Sequence, residues 1–129
     1  MLYAIIDAWS LNNPTILNDL KHIKVTVDFE PYSHVNKYHF NFFLRSKKNE
    51  VLNIIQKEMK EGWYSFFWNK RTLHIVFAKN NFKISLPNGW SSQTYMEAQI
   101  YGKSKGIQDK YLNFKQFFQK YLKKVGKLK

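Results

Sequence analysis

The sequence lacks cysteine altogether and has no long apolar run. The missing cysteine excludes a disulfide framework, a thiolate nucleophile, cysteine-ligated zinc and iron–sulfur clusters, and it is typical of a reducing compartment. The longest apolar run covers residues 1–6, whereas a membrane-spanning helix needs about 20 residues, and no basic segment precedes it as a signal peptide requires. We therefore expect a cytoplasmic protein without a transmembrane segment.

Acidic residues are also scarce. Nine Asp and Glu residues stand against 21 Lys and Arg residues, which gives a formal net charge of +12. This balance favours polyanionic partners such as nucleic acid. All basic residues except Arg45 and Arg71 are lysines, and Asn, Ile, Phe and Tyr are abundant as well. Such a composition is typical of AT-rich codons, so charge alone is a weak argument for phosphate binding.

The chain of 129 residues, 44% of them hydrophobic, has the length and composition of one folded domain. Residues 1–109 are predicted to form an α+β domain. Residues 110–129 are predicted to form a basic amphipathic helix that packs on this domain or extends from it.

Alternating apolar and polar residues predict strands, and apolar residues three or four positions apart predict helices. Strands are predicted over 2–9, 24–30, 37–45, 63–69, 73–78 and 82–86. Helices are predicted to start at Pro14, with Ile23 on its apolar face, at Ser46, and at Ser91 or Ser92. The last of these is predicted to run to about Tyr101, with Gly102 and Gly106 near its end and Gly102 as its cap, and a final helix is predicted over 111–125. This order predicts a ferredoxin-like split βαβ antiparallel sheet with an added hairpin, C-terminal helices and helices on one face.

The aromatic strand over 63–69 presents two sets of side chains. Tyr64, Phe66 and Trp68 are predicted to pack under the second helix. If the opposite face is open, it forms a candidate sheet-face binding site made of His39, Asn41, Phe43, Arg45, Trp63, Ser65, Phe67 and Asn69. Mixed aromatic, amide and cationic groups suit base stacking, a small-ligand cleft, a homodimer contact or cover by the C-terminal helices.

The strongest charge feature is C-terminal. Residues 103–129 contain nine lysines and a single acidic residue, Asp109. An apolar stripe at helical spacing can dock one side of the final helix, while its lysines remain in solvent. The candidate nucleic-acid-binding residues are Lys115, Lys120, Lys123, Lys124 and Lys127. A merely solvated helix face and a helix that binds anionic membranes are the alternatives.

From Glu61 onward the chain resembles a group of short, functionally uncharacterised prokaryotic α+β proteins. The matching segments are Glu61-Gly62-Trp63-Tyr64, Phe67-Trp68-Asn69, Leu73 to Phe77, Phe82-Lys83-Ile84, Tyr101-Gly102-Lys103-Ser104, Gly106-Ile107 and Leu112-Asn113-Phe114. They cover less than half of the chain. The resemblance implies a compact α+β fold and no particular activity.

A second resemblance covers Met1-Leu2-Tyr3-Ala4-Ile5-Ile6-Asp7, which is similar to the first strand of small ferredoxin-like metal nucleases from CRISPR adaptation and toxin systems. It implies that Asp7, at the end of that strand, is a candidate catalytic residue at a dimer interface. The spacing of the four histidines indicates no metal site, and no cofactor is expected.

These observations favour a small, non-enzymatic nucleic-acid-binding module, which is expected to form a homodimer or to bind a protein partner. One alternative is a protein-interaction or homodimerising module that uses the aromatic sheet face. Another is a metal-dependent nuclease that uses Asp7.

Overall fold

The computed structural model describes residues 2–19, 22–30, 35–44 and 48–126, with side chains over 3–7, 9–17, 50–120 and 122–123. The strands are β1 (Leu2–Asp7), β2 (His22–Glu30), β3 (Val35–Leu44), β4 (Tyr64–Trp68), β5 (Thr72–Phe77) and β6 (Asn81–Ser85). The helices are α1 (Lys48–Glu58), α2 (Gln93–Ser104) and α3 (Phe114–Gly126), with short 3₁₀ helices at Ala8–Ser10, Pro14–Asp19, Gly89–Ser91 and Asp109–Tyr111. The predicted α+β class is confirmed.

The strands form one sheet in the order β2-β3-β1-β4-β5-β6, and every neighbouring pair is antiparallel. Strand β1 therefore lies inside the sheet, between β3 and β4. Because β3 separates β1 from β2, these two strands run parallel to each other. For the same reason β3 and β4 run parallel on either side of β1, and α1 connects them.

Helices cover both faces of the sheet, so the expectation that they cover only one face is wrong. On one face, which we call the C-terminal face because the C-terminal helices cover it, strand residues such as Phe66 pack with Tyr95 and Ala98 of α2 and with Phe114 and Phe118 of α3. On the opposite face, which we call the α1 face, strand and helix residues form a second core: Ala4, Ile6, Leu11, Leu17, Leu52, Ile55, Met59, Phe67 and Val76.

The alternate aromatic residues of β4 pack under the C-terminal helices rather than under α1. The Tyr64 ring lies 4.9 Å from that of Phe114, and the Phe66 ring lies 6.0 Å from that of Phe118. Strand alternation predicted which residues share a face. The helix that covers each face depends on how the chain crosses the sheet, which alternation does not specify.

Two of the predicted helix starts are confirmed, with different outcomes. A 3₁₀ helix covers Pro14–Asp19, but Ile23 belongs to β2, so the longer predicted helix is wrong. The β-branched Thr15 and Ile16 in this segment do not favour an α-helix. Helix α2 begins after Ser92, whose hydroxyl accepts a hydrogen bond from the Tyr95 amide at 3.2 Å. The predicted cap Ser46 lies outside the described residues.

Helix α2 is terminated by Gly106 and not by Gly102. Gly106 has φ 85°, a left-handed conformation that favours glycine. Its amide donates to the Lys103 carbonyl at 3.1 Å, and the Ile107 amide donates to the Gly102 carbonyl at 3.1 Å, which is a Schellman motif. Gly102 instead lies inside the helix, where an added Cβ would stand 2.6 Å from Leu112 Cδ2.

Candidate nucleic-acid interface

Helix α3 is anchored to the domain by its aromatic residues. Phe114 and Phe118 are both buried, as the predicted apolar stripe requires. The Phe118 ring contacts that of Trp68 edge-on at 5.4 Å between centroids, and Phe114 lies 6.1 Å from Tyr95. The Tyr95 hydroxyl also accepts a hydrogen bond from the Lys115 amide at 3.1 Å. These contacts hold the beginning and middle of α3 against the C-terminal face.

The predicted lysines of α3 lie on the side away from this anchor. Lys115, Lys120 and Lys123 are exposed. At 100° per residue their Cα atoms occupy an arc that excludes Phe114 and Phe118. Helix α3 contains no Asp or Glu that could neutralise this arc. The side chain of Lys124 and all of Lys127 lie outside the described residues.

Lysines elsewhere on the C-terminal half of the domain are partly neutralised. Lys79 and Lys105 lie 3.6 and 3.8 Å from the Glu61 carboxylate, and Lys103 lies 3.6 Å from that of Asp109. These are exposed pairs of small energetic value. Within the described part of the chain no ion pair involves the three exposed lysines of α3. Their positive charge therefore remains available to an anionic partner.

Strand β4 does not provide the open binding surface that the sequence predicted. Ser65 is 2% exposed and Phe67 0%, and Phe67 packs in the core of the α1 face. Trp63 and Asn69 are half-buried next to the two ends of the strand. The Asn69 side-chain oxygen accepts hydrogen bonds from the amides of Arg71 and Thr72 at 2.8 and 2.9 Å, which stabilises the turn into β5. Helix α1 covers the surface that base stacking would need.

The candidate positions of β3 also belong to the opposite face of the sheet from those of Ser65 and Phe67. Asn41 pairs with Ile5 on β1, and Ile5 pairs with Phe66 on β4. Paired positions share a face of a sheet, so the register does not join the two predicted sets into one site. The side chains of His39, Asn41 and Phe43, and all of Arg45, lie outside the described residues.

Asp7 stabilises the end of β1. Its Oδ1 accepts a hydrogen bond from the Trp9 amide at 2.9 Å, and its carbonyl accepts one from the Ser10 hydroxyl at 2.6 Å. Both bonds support the turn into the 3₁₀ helix at Ala8–Ser10. Over residues with described side chains, no three His, Asp or Glu residues come close enough to hold a metal ion.

Trp90 was not among the predicted site residues, yet it lines two clefts. The α2–α3 cleft, of about 710 Å³, is lined by Trp90, Tyr95, Gln99, Lys103 and Lys115 among others. The β4–α3 cleft, of about 500 Å³, is lined by Tyr3, Trp68, Lys70, Trp90, Phe118 and Leu122 among others. The only local signal for Trp90 is an aromatic residue directly after the Pro87-Asn88-Gly89 turn.

Comparisons with known proteins found no relative from which a function could be assigned: no protein-family model, no curated protein and no solved structure matches the chain. In the portion that the structure describes, none of the helices combines the length and apolarity needed to cross a membrane.

Proposed function

We propose that this protein is a non-enzymatic nucleic-acid-binding module that contacts phosphates through α3. The observation that carries the proposal is the exposed side of α3, which carries lysines and no acidic residue, on a helix whose other side is buried in the core. Lysine ammonium groups at such positions provide affinity for phosphate with little sequence specificity.

Two features of α3 support this function over a merely solvated helix. Its lysines are mounted on a helix that aromatic contacts fix to the sheet, so binding would not require ordering of a free tail. Lys115 and Lys123 are separated by about 12 Å along the helix axis at 1.5 Å per residue. Several phosphates of one strand can therefore be contacted together.

The fold proposal is finer than the α+β class. We infer a ferredoxin-like order for β1 to β4, in which β1 and β2, and then β3 and β4, are the parallel pairs of two split βαβ units. The register of these four strands supports it. The first connection carries 3₁₀ helices in place of an α-helix, and β5 and β6 are the added hairpin.

The other sequence predictions differ in their support. A protein-interaction module that uses the aromatic sheet face loses support because Ser65 and Phe67 are buried. A nuclease that uses Asp7 remains a hypothesis, tested by divalent-metal-dependent cleavage that is lost in Asp7→Asn. The resemblance to short prokaryotic α+β proteins, the cytoplasmic location and the homodimer stay predictions.

The proposal is tested by fluorescence anisotropy with labelled single- and double-stranded DNA and RNA at about 50 and 200 mM salt, a range over which several phosphate contacts lose orders of magnitude in affinity. The full chain is required, because removing α3 would also remove Phe114 and Phe118 from the core. We expect binding that weakens steeply with salt.

A matched pair of variants assigns the binding to α3. The slope of log affinity against log salt is negative, and the variant Lys115→Gln/Lys120→Gln/Lys123→Gln should make it shallower by about 2 for a single strand. The control Lys57→Gln/Lys79→Gln/Lys83→Gln removes the same charge from exposed lysines elsewhere and should change the slope little. No binding by the folded full chain, or equal losses in both variants, would contradict the proposal.

A further inference from the structure

Trp90 is an aromatic side chain that the core supports and that both clefts expose. Its ring lies edge-on to Tyr95 at 5.4 Å and 5.8 Å from Phe118, so residues of α2 and α3 fix its orientation. The preceding turn lies tightly on β6, because a Cβ at Gly89 would stand 2.7 Å from Ile84 Cγ2. A half-buried indole that is fixed in this way can stack a flat group without a loss of side-chain entropy.

The two clefts share one chemistry. The β4–α3 cleft has an aromatic floor, in which Tyr3 and Trp68 stack at 5.8 Å and 18°, with Lys70 at its edge. The α2–α3 cleft combines Trp90 and Tyr95 with Lys103 and Lys115. Both volumes lie within the range of about 300–1,000 Å³ that is typical of ligand sites.

Charge decides which flat ligand fits these clefts. Among the lining residues that the structure describes, the lysines are Lys70, Lys103 and Lys115, and the only carboxylate is that of Asp109, which pairs with Lys103. Aromatic walls beside cationic edges are the arrangement with which proteins bind unpaired bases and their phosphates. In a duplex the bases are stacked on each other and do not enter such clefts.

We propose that the nucleic acid bound by this protein is single-stranded, with unpaired bases entering the clefts on both sides of Trp90 while the lysines of the clefts and of α3 contact its phosphates. This inference rests on the proposed function and narrows it from nucleic acid in general to single strands. Because stacking tolerates any base, the site selects strandedness and not sequence.

The test compares a labelled oligothymidylate with a labelled duplex of the same length by fluorescence anisotropy. The full chain should bind the single strand at least about tenfold more tightly. Trp90→Leu should lose about tenfold in single-strand affinity, the scale of one base–aromatic stack, and leave duplex affinity unchanged. Trp9→Leu, which removes an exposed indole that lines neither cleft, should leave both affinities unchanged.

A second variant keeps the test decisive if Trp90→Leu does not fold, as circular dichroism would show. Lys70→Gln changes an exposed turn residue and should make the slope of single-strand log affinity against log salt shallower by about 0.7. The control Lys57→Gln, on exposed α1 surface, should not change it.

The outcomes separate the two proposals. Equal affinity for single strand and duplex, with no effect of Trp90→Leu or Lys70→Gln, overturns the single-strand inference and leaves phosphate binding by α3 intact. A poly-glutamate peptide that binds as tightly as the oligothymidylate, with the same dependence on Trp90, overturns it in favour of an acidic protein partner. No binding to any nucleic acid ends both proposals.

Discussion

The two faces of the sheet are packed with different side chains. The C-terminal face is built from contacting aromatic rings of β4, β5, α2 and α3, among them Phe66, Phe77 and Phe114. In the described core of the α1 face the only fully buried aromatic residue is Phe67, and its other members are mainly aliphatic. Edge-on aromatic pairs have preferred geometries. The packing of the C-terminal face therefore fixes the orientation of its side chains, including those of α3, more strongly than the mainly aliphatic packing of the α1 face does.

The charges of the covering helices differ in the same way. Helix α1 carries Glu50 and Glu58 beside its lysines, whereas α3 carries lysines and no acidic residue. The aromatic face therefore supports the cationic helix and also forms both clefts beside Trp90. The comparison shows that α3 is part of the fold and not an appended tail. The first set of variants below tests this, and the two smaller sets test left-handed turns and buried hydroxyl groups elsewhere in the domain.

The largest expected effect is on the anchor of α3. Phe118→Ala should lower the free energy of unfolding by about 3–5 kcal/mol, close to the loss of about 2–5 kcal/mol for Ile55→Ala on the α1 face. Both side chains are fully buried. Denaturant unfolding of the two variants measures the losses.

The control for this comparison is Leu122→Ala on the same helix. Leu122 is 40% exposed, so its loss should be about 1 kcal/mol. A Phe118→Ala variant as stable as the original chain would show that α3 does not share the core.

A smaller loss of stability is expected at two glycines in the left-handed conformation, one shortly before β4 and one shortly after α2. Gly62 and Gly106 both have φ 85°. An added Cβ would meet nothing closer than the Lys105 carbonyl oxygen at 3.6 Å from Gly62, and nothing within 4 Å at Gly106. Alanine at either position should therefore cost only the backbone strain, about 1–2 kcal/mol.

Asparagine serves as the matched substitution because it tolerates this conformation better than alanine. In thermal unfolding, Gly106→Asn should have a higher melting temperature than Gly106→Ala, and the same order should hold at Gly62. Equal stability of the alanine and asparagine variants would rule out backbone strain as the cause.

The smallest effect separates two buried serines. The Ser10 hydroxyl donates to the Asp7 carbonyl at 2.6 Å, whereas the Ser65 hydroxyl has no hydrogen-bond partner within the described part of the chain. Ser10→Ala should cost about 1 kcal/mol because a buried hydrogen bond is lost. Ser65→Ala should be close to neutral in denaturant unfolding. A loss at Ser65 as large as that at Ser10 would mean that its hydroxyl is satisfied.

Much of the local structure could be predicted from the sequence, because alternation and helical spacing report it directly. They located all six strands, α1 and the lysine side of α3, with the stated ends shifted by up to three residues. Ser92 as the cap of α2 follows from the hydrogen bond that a serine hydroxyl accepts from a nearby amide.

The arrangement across the sheet could not be predicted in the same way. Phe66 and Phe67 were correctly separated into two sets, but the pattern does not state which helix covers which set. The β4–α3 cleft needs Trp68, Trp90 and Phe118 side by side, and these residues are far apart in the sequence. Only the folded chain brings them together, which is why Trp90 was missed.

The central claim, that α3 is the side of the protein that binds nucleic acid, is tested most directly by amine acetylation followed by mass spectrometry, with and without saturating oligothymidylate. The account predicts that the nucleic acid protects Lys115, Lys120 and Lys123 from acetylation, while Lys57 and Lys83 react as in the free protein. Protection of Lys57 and Lys83 alone, or no protection at α3 under saturating binding, would contradict it.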